Sequence, residues 1–160
     1  MLTDADISML VERLGSTVGT REEEQVWELL RPLGAKVLPF FLDAYPRTRK
    51  WQGRVSFIYH ALKYARADPL ASKLAKVALW DKSRLVRYRA CMLIACALDR
   101  SALPLLGQLS AHPDAATVED ARAAIDAIEH SNHHYFVDRH HSGRVELNFD
   151  GRPLHEEPTR

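Results

Sequence analysis

Apolar residues recur along most of this chain at the three-to-four spacing of an amphipathic helix, and that pattern restarts several times. Val26, Val55, Val86 and Val118 each open such a stretch, with intervals of 29, 31 and 32 residues. In the third stretch Val86, Ala90, Leu93, Ile94 and Ala97 mark one face; in the fourth Ala121, Ala124, Ile125 and Ile128 do. A second apolar helix follows each of the first three, beginning near Val37, Leu70 and Ala102. Pro39 and Pro104 fit first helical turns, where the missing N–H would have no partner. Asp68 before Pro69 is a cap followed by a helix-starting proline, and Ser101 can cap the later helix. Tyr45-Pro46, Asp81–Ser83 and Ala111–Asp114 separate the units.

A periodic unit of about thirty residues predicts an array of helical hairpins, because one pair cannot bury its apolar face alone and neighbours complete the core. The start of the chain reads as a capping helix over residues 4–14, closed by Gly15. Thr3–Asp6 and Thr20–Glu23 have the form of capping boxes. Past residue 130 the pattern changes. His134–Asp138 and Arg144–Phe149 are rich in β-forming residues, and the turn-prone Arg139–Gly143 lies between them. They predict a β-hairpin that covers the last helix. The expected organisation is one domain over 1–150, with a capping helix at 1–19, repeats at 20–130, a hairpin at 131–150, and a flexible tail at 151–160.

The residues 85–90 (Leu-Val-Arg-Tyr-Arg-Ala), Ala97–Asp99, Leu103–Leu106, His112–Asp114 and 118–125 (Val-Glu-Asp-Ala-Arg-Ala-Ala-Ile) resemble a HEAT or HEAT-like repeat. The likeness is strongest over residues 82–129. It implies an all-α fold, a short right-handed α-solenoid of HEAT-like hairpins, here with the β-hairpin as a C-terminal cap. In that family a turn aspartate and a basic residue early in the first helix bridge adjacent repeats, and Asp81, Asp99, Asp114 and Arg87 are the matching types.

Composition agrees with a globular helical chain, with 46% hydrophobic and 27% charged residues. The sequence begins without the basic start and apolar run of a signal peptide, and no segment approaches the roughly 20 apolar residues of a membrane span. Cys91 and Cys96 lie on different faces of one apolar helix, which suits small buried residues rather than a disulfide or metal pair. A reducing, cytoplasmic setting is expected.

The net charge of +1 conceals segregation. Residues 1–46 carry four basic and eight acidic side chains, residues 47–100 thirteen and three, and residues 101–160 five and ten. The basic band includes Arg47, Arg49, Lys50, Arg54, Lys82 and Arg84 and is interleaved with Trp51, Tyr59, Trp80 and Tyr88. Such a band suits a polyanionic or acidic partner. Nucleic acid is the alternative ligand, since cations contact phosphates and aromatic rings stack on bases. HEAT-like DNA glycosylases set a precedent for such a surface. Acidic ends and an isoelectric point near 7.9 favour a protein partner instead.

His130, His133, His134, His140 and His141 with Asp138 fall within twelve residues. They lack the spacing of a zinc motif, and polar contacts around the hairpin are the expected role. No nucleophile elbow or glycine-rich phosphate loop occurs. The chain is therefore expected to be neither an enzyme nor a holder of metal or cofactor. Residues 132–143 (Asn-His-His-Tyr-Phe-Val-Asp-Arg-His-His-Ser-Gly) are similar to the ending of small bacterial HEAT-like proteins encoded beside polymorphic toxins. That resemblance implies an immunity protein that binds and neutralises a cognate toxin domain. The candidate contacts are Asp43, Tyr45, Lys73, Lys76 and Trp80, expected on the concave face of the array, with Arg47, Arg49 and Arg84 of the basic band.

Overall fold

The structure is a computed structural model that describes residues 1–150, and in them eight α-helices are linked by short 3₁₀ turns. Helix α1 (Asp4–Ser16) starts in the predicted capping box. The Thr3 hydroxyl accepts from the Asp6 N–H at 3.1 Å, and the Thr3 N–H donates to the Asp6 carboxylate at 2.8 Å. The second expected box, before α2 (Arg21–Leu30), does not form. Thr20 instead donates its hydroxyl to the Thr17 carbonyl, and Glu23 turns back to the Gly19 N–H at 2.7 Å.

Gly15 does not close α1; it lies within the helix, where α1 crosses α4 (Trp51–Ala61). A Cβ on Gly53 would sit 2.1 Å from the Gly15 carbonyl oxygen, and one on Gly15 would sit 2.9 Å from the Phe57 ring. The crossing therefore depends on two glycines, whose missing side chains let the backbones approach.

The return helices are α3 (Leu38–Ala44), α5 (Pro69–Ala78) and α7 (Leu103–Leu109), each with proline in its first turn. Asp68 caps α5 by accepting from the Leu70 N–H at 2.9 Å. Before α7 the capping role expected of Ser101 falls to Asp99, which accepts the Ser101 N–H and hydroxyl. Helices α6 (Arg84–Ala97) and α8 (Ala115–Glu129) complete the set.

Helices α1, α4, α6 and α8 lie side by side in that order, while α3 packs on α1 and α5, α5 on α4 and α6, and α7 on α8. This is a solenoid-like stack of helical pairs. Helix α2 leans mainly on α1, so the place expected for the Val26 helix beside α4 is taken by α1. Phe41 and Phe57 stack at 5.1 Å, and α6 is buried continuously from Ala90 to Cys96. Burial of a large apolar side chain stabilises by about 1.5–3 kcal/mol, so the second half of α6, apolar all round from Ala90 to Cys96, is the centre of the core.

Polar side chains tie the layers together with a regular register. Arg54 and Arg87 are 33 positions apart, and each reaches an aspartate 27 positions on, Asp81 and Asp114. Each also donates to the carbonyl six positions before it, Thr48 and Asp81. This register differs from the spacing of the leading valines. Asp99 makes the corresponding link between return segments, accepting from Ser72 at 2.6 Å and pairing with Lys76 at 2.9 Å.

No strand occurs among the described residues, so the β-hairpin expected over 131–150 is absent. Short polar side chains capture the backbone groups that a ladder would need. Asn132 accepts from the His134 N–H at 3.0 Å and curls His133–Phe136 into a 3₁₀ turn. Asp138, almost fully buried, accepts from the Ser142 N–H, the Ser142 hydroxyl and the Gly143 N–H at 2.8–2.9 Å. The turn does cover α8, and Phe136 is buried beside Tyr88. The tail expected at 151–160 lies outside the described residues.

Candidate functional site

The eight residues selected from sequence separate into three groups. Tyr45 is an internal strut: it is buried, and its hydroxyl donates to Asp81. Asp43, Arg47 and Lys76 are exposed or half-buried, but each has a partner in the fold. Arg47 pairs with Asp43 at 3.0 Å and Glu12 at 3.3 Å, and Lys76 with Asp99. Lys73 and Trp80 remain outward on the α5 side, with Val77 between them, and Arg49 and Arg84 stand at the starts of α4 and α6.

The basic band thins in the same way. Arg54 and Arg87 are buried in the ladder. Arg66 donates to the Cys96 carbonyl, and Lys63 lies over Trp27 and Tyr64. Besides Lys73 on α5, Arg49, Lys50, Lys82 and Arg84 are left, all exposed and with no carboxylate within ion-pair distance among the described residues.

Three of these cations share one groove. Arg49, Lys50, Trp51, Gln52, Lys82 and Ser83 line a depression of about 520 Å³, with the Arg54 side chain in its wall. Trp51 is 40% exposed there. Beneath it Arg54 grips Asp81 with two bonds, at 2.7 and 3.0 Å, and Asp81 also accepts from the Ser83 N–H at 2.8 Å. Burial opposes ionisation of Asp81, but the bonds from Arg54, Tyr45 and Ser83 more than offset it and hold the carboxyl below its usual range. Arg54 is thus neutralised within the fold, whereas the cations that line the groove have no carboxylate partner among the described residues.

The helix starts reinforce that charge. Neither α4 nor α6 has a side-chain cap or an acidic residue in its first turn. By contrast α1, α5 and α8 are capped by Thr3, Asp68 and Asp114. The positive ends of two helix dipoles therefore coincide with four cations, an arrangement that raises local potential at some expense of stability. An anionic group arriving there meets free N–H groups and unpaired ammonium and guanidinium groups. Sequence analysis placed Lys50, Trp51 and Lys82 in the band without selecting them. The signal available was the missing acid or cap before Trp51; Ser83 before Arg84 is a capping type, and only the structure shows that its side chain does not cap α6.

Elsewhere the chemistry-bearing groups are committed to structure. Burial pushes the Cys91 and Cys96 thiols up to about 12, far from the thiolate form a nucleophile needs. Asp126 holds His130 at 3.0 Å and His141 at 2.5 Å, and His141 stacks on Tyr135. No group of three or more histidine, cysteine or acidic side chains among the described residues is arranged to hold a metal ion. No helix among them is long and apolar enough to cross a membrane. The chain matches no protein-family model, no curated protein and no solved structure.

Proposed function

We propose that this chain is a non-catalytic, HEAT-like protein-binding module, an immunity protein that acts in the cytoplasm by binding and neutralising a cognate bacterial toxin domain. The observation that carries the binding reading is the set of unpaired cations Arg49, Lys50, Lys82 and Arg84 at the uncapped starts of α4 and α6, beside exposed Trp51. Charge of this kind speeds encounter with an acidic surface, and an exposed tryptophan supplies contact that desolvates on docking. Lys73 and Trp80 extend the same partner's footprint onto α5. The toxin class rests on the likeness of residues 132–143 to the endings of such immunity proteins.

An acidic protein suits this edge better than a nucleic acid. An extended polyanion gains affinity from many phosphate contacts, whereas the internal pairing of Arg47, Arg54, Arg66, Lys76 and Arg87 leaves only a local cluster. The test is co-expression with the cognate toxin domain that this reading requires. Protection of growth and a stable purified complex are expected. Absence of both, with oligonucleotide binding that is sub-micromolar at roughly 150 mM salt, would replace this reading with the nucleic-acid one.

A further inference from the structure

The segment after Gly143 is held by an arrangement that prescribes the protonation of two histidines. His133 Nδ1 lies 2.9 Å from an Arg66 guanidinium nitrogen, which can only donate, so that ring nitrogen accepts and carries no proton. Its Nε2 lies 2.9 Å from the Leu147 carbonyl, which can only accept, so Nε2 carries the proton. His134 Nδ1 accepts the Leu147 N–H at 2.9 Å and is therefore also bare. The two imidazoles thus satisfy both backbone groups of one residue; the acceptor roles toward Arg66 and the Leu147 N–H need bare Nδ1 atoms, whereas the His133 bond to the Leu147 carbonyl survives protonation. Phe149 meets the His133 ring edge-on at 5.1 Å, with Arg66 above it.

What this segment borders is an aromatic cleft of about 450 Å³. Trp27, Tyr59, His60 and Lys63 lie on its helical side, and Asn148 and Phe149 on the other. Trp27 stacks on His60 at 3.8 Å, and burial, then Lys63, brings His60 down to about 4, so that ring is neutral as well.

We propose that residues 144–149 are a pH-released strap: neutral His133 and His134 clasp Leu147, and protonation, which sets His133 against Arg66 and removes His134 as the acceptor of the Leu147 N–H, frees the segment and opens the aromatic cleft. A proton on His133 Nδ1 would face the Arg66 guanidinium, and one on His134 Nδ1 would face the Leu147 N–H. The rings are 4.0 Å apart, so charging both adds repulsion. Burial, then the neighbouring His134, holds His133 below the usual imidazole range, with the Leu147 carbonyl opposing. The docked form therefore binds fewer protons than the released one. Its advantage is complete above the free value of about 6.5 and is lost as pH falls through the lowered one.

The charged groups around the pair are accounted for. Arg66 comes from the segment between α4 and α5, and Asp150, whose charge favours protonation of His133, directly follows the strap. Asp126 of α8 is taken by His130 and His141, Asp120 of α8 by Arg139, and Arg89 of α6 lies over Tyr88. The hinge stays closed across this range. Burial opposes ionisation of Asp138, but Ser142 and Gly143 more than offset it, so the anchor at 142–143 persists and movement begins after Gly143.

Hydrogen exchange of the Leu147 amide, expressed as a protection factor at about pH 7.5 and about pH 5, reads the clasp directly. Protection is expected at the higher pH and lost at the lower. In the double variant His133→Gln, His134→Asn the amides keep a donor for the Leu147 carbonyl and an acceptor for its N–H without titrating, so protection should persist at both. Equal protection of the wild type at both values, or the same loss in the double variant, would overturn the proposal. Should the variant fail to dock at the higher pH, imidazole nitrogen shifts of the wild type decide. Neutral rings with bare Nδ1 atoms, titrating together with the loss of protection, are required. A charged ring beneath a protected Leu147 would refute the clasp.

Discussion

Asp81 and Asp114 occupy equivalent junctions 33 positions apart, each ending a return segment and each reached by an arginine from the preceding first helix. They do different things. Asp114 stands directly before α8, accepts the Thr117 N–H and hydroxyl at 3.3 and 2.7 Å, and so caps that helix while meeting Arg87 at 3.3 Å. Asp81 stands three residues before α6 and turns inward, giving both oxygens to Arg54 and one to Tyr45. Two extra residues, Lys82 and Ser83, separate it from the helix start, and the dipole of α6 stays open. One aspartate closes its helix and the other locks the core while leaving a positive edge exposed. A repeat position can thus cap a helix at one junction and leave a helix start open at the next.

The largest way to break this comparison is to remove each carboxylate. Asp81→Ala strands the buried Arg54 guanidinium and should cost about 3–5 kcal/mol in urea unfolding. Asp114→Ala removes a more exposed partner and a cap, so its loss should be clearly smaller. Equal losses would mean that the two junctions are energetically alike.

Acid should sharpen the same contrast. Both carboxyls lie below the usual range. At Asp81 burial opposes ionisation but Arg54, Tyr45 and Ser83 outweigh it, and at Asp114 the Thr117 bond leads. A depressed carboxyl stabilises above its unfolded value of about 3.9, and that contribution fades as pH falls through the lower folded value. Wild-type stability should therefore drop below about pH 4. Asp81→Ala should remove more of that drop than Asp114→Ala.

The smallest expected effect concerns the helix starts. Leu85→Glu places an acid in the open first turn of α6 and should stabilise the fold by about 0.3–1 kcal/mol, whereas Ala115→Lys at α8 should destabilise by a similar amount. A destabilising Leu85→Glu would show that the α6 start is not electrostatically frustrated.

These junctions also mark what could be read from sequence. Helical periodicity, the Asp68-Pro69 start and the Thr3 box are local signals, and the all-helical stack follows from them. The repeat register was harder. Leading valines were an ambiguous guide, because Val26 belongs to a helix leaning on α1, whereas the Arg54/Arg87 and Asp81/Asp114 pairs carry a regular 33-residue spacing. The β-rich ending misled because strand propensity describes side chains fitting a pleated surface. Asn132 and Asp138 instead captured the local backbone, and two histidines took the groups of Leu147. Among the selected contacts, charge alone could not distinguish Arg47, matched by Glu12 and Asp43, from Arg49, which has no such match. Asp43 is a local partner four residues before Arg47, but Glu12 is a tertiary neighbour 35 residues away in sequence.

The most direct test is the association rate of the chain with the proposed cognate toxin domain, compared for wild type, Arg49→Glu/Lys82→Glu, and Arg122→Glu on α8. Reversal at the α4–α6 edge should slow association by about tenfold or more at low salt, with the gap narrowing as salt rises. Arg122→Glu should leave the rate nearly unchanged. Equal slowing by both reversals, or no effect of the edge reversal, would contradict the assignment of this edge as the binding surface.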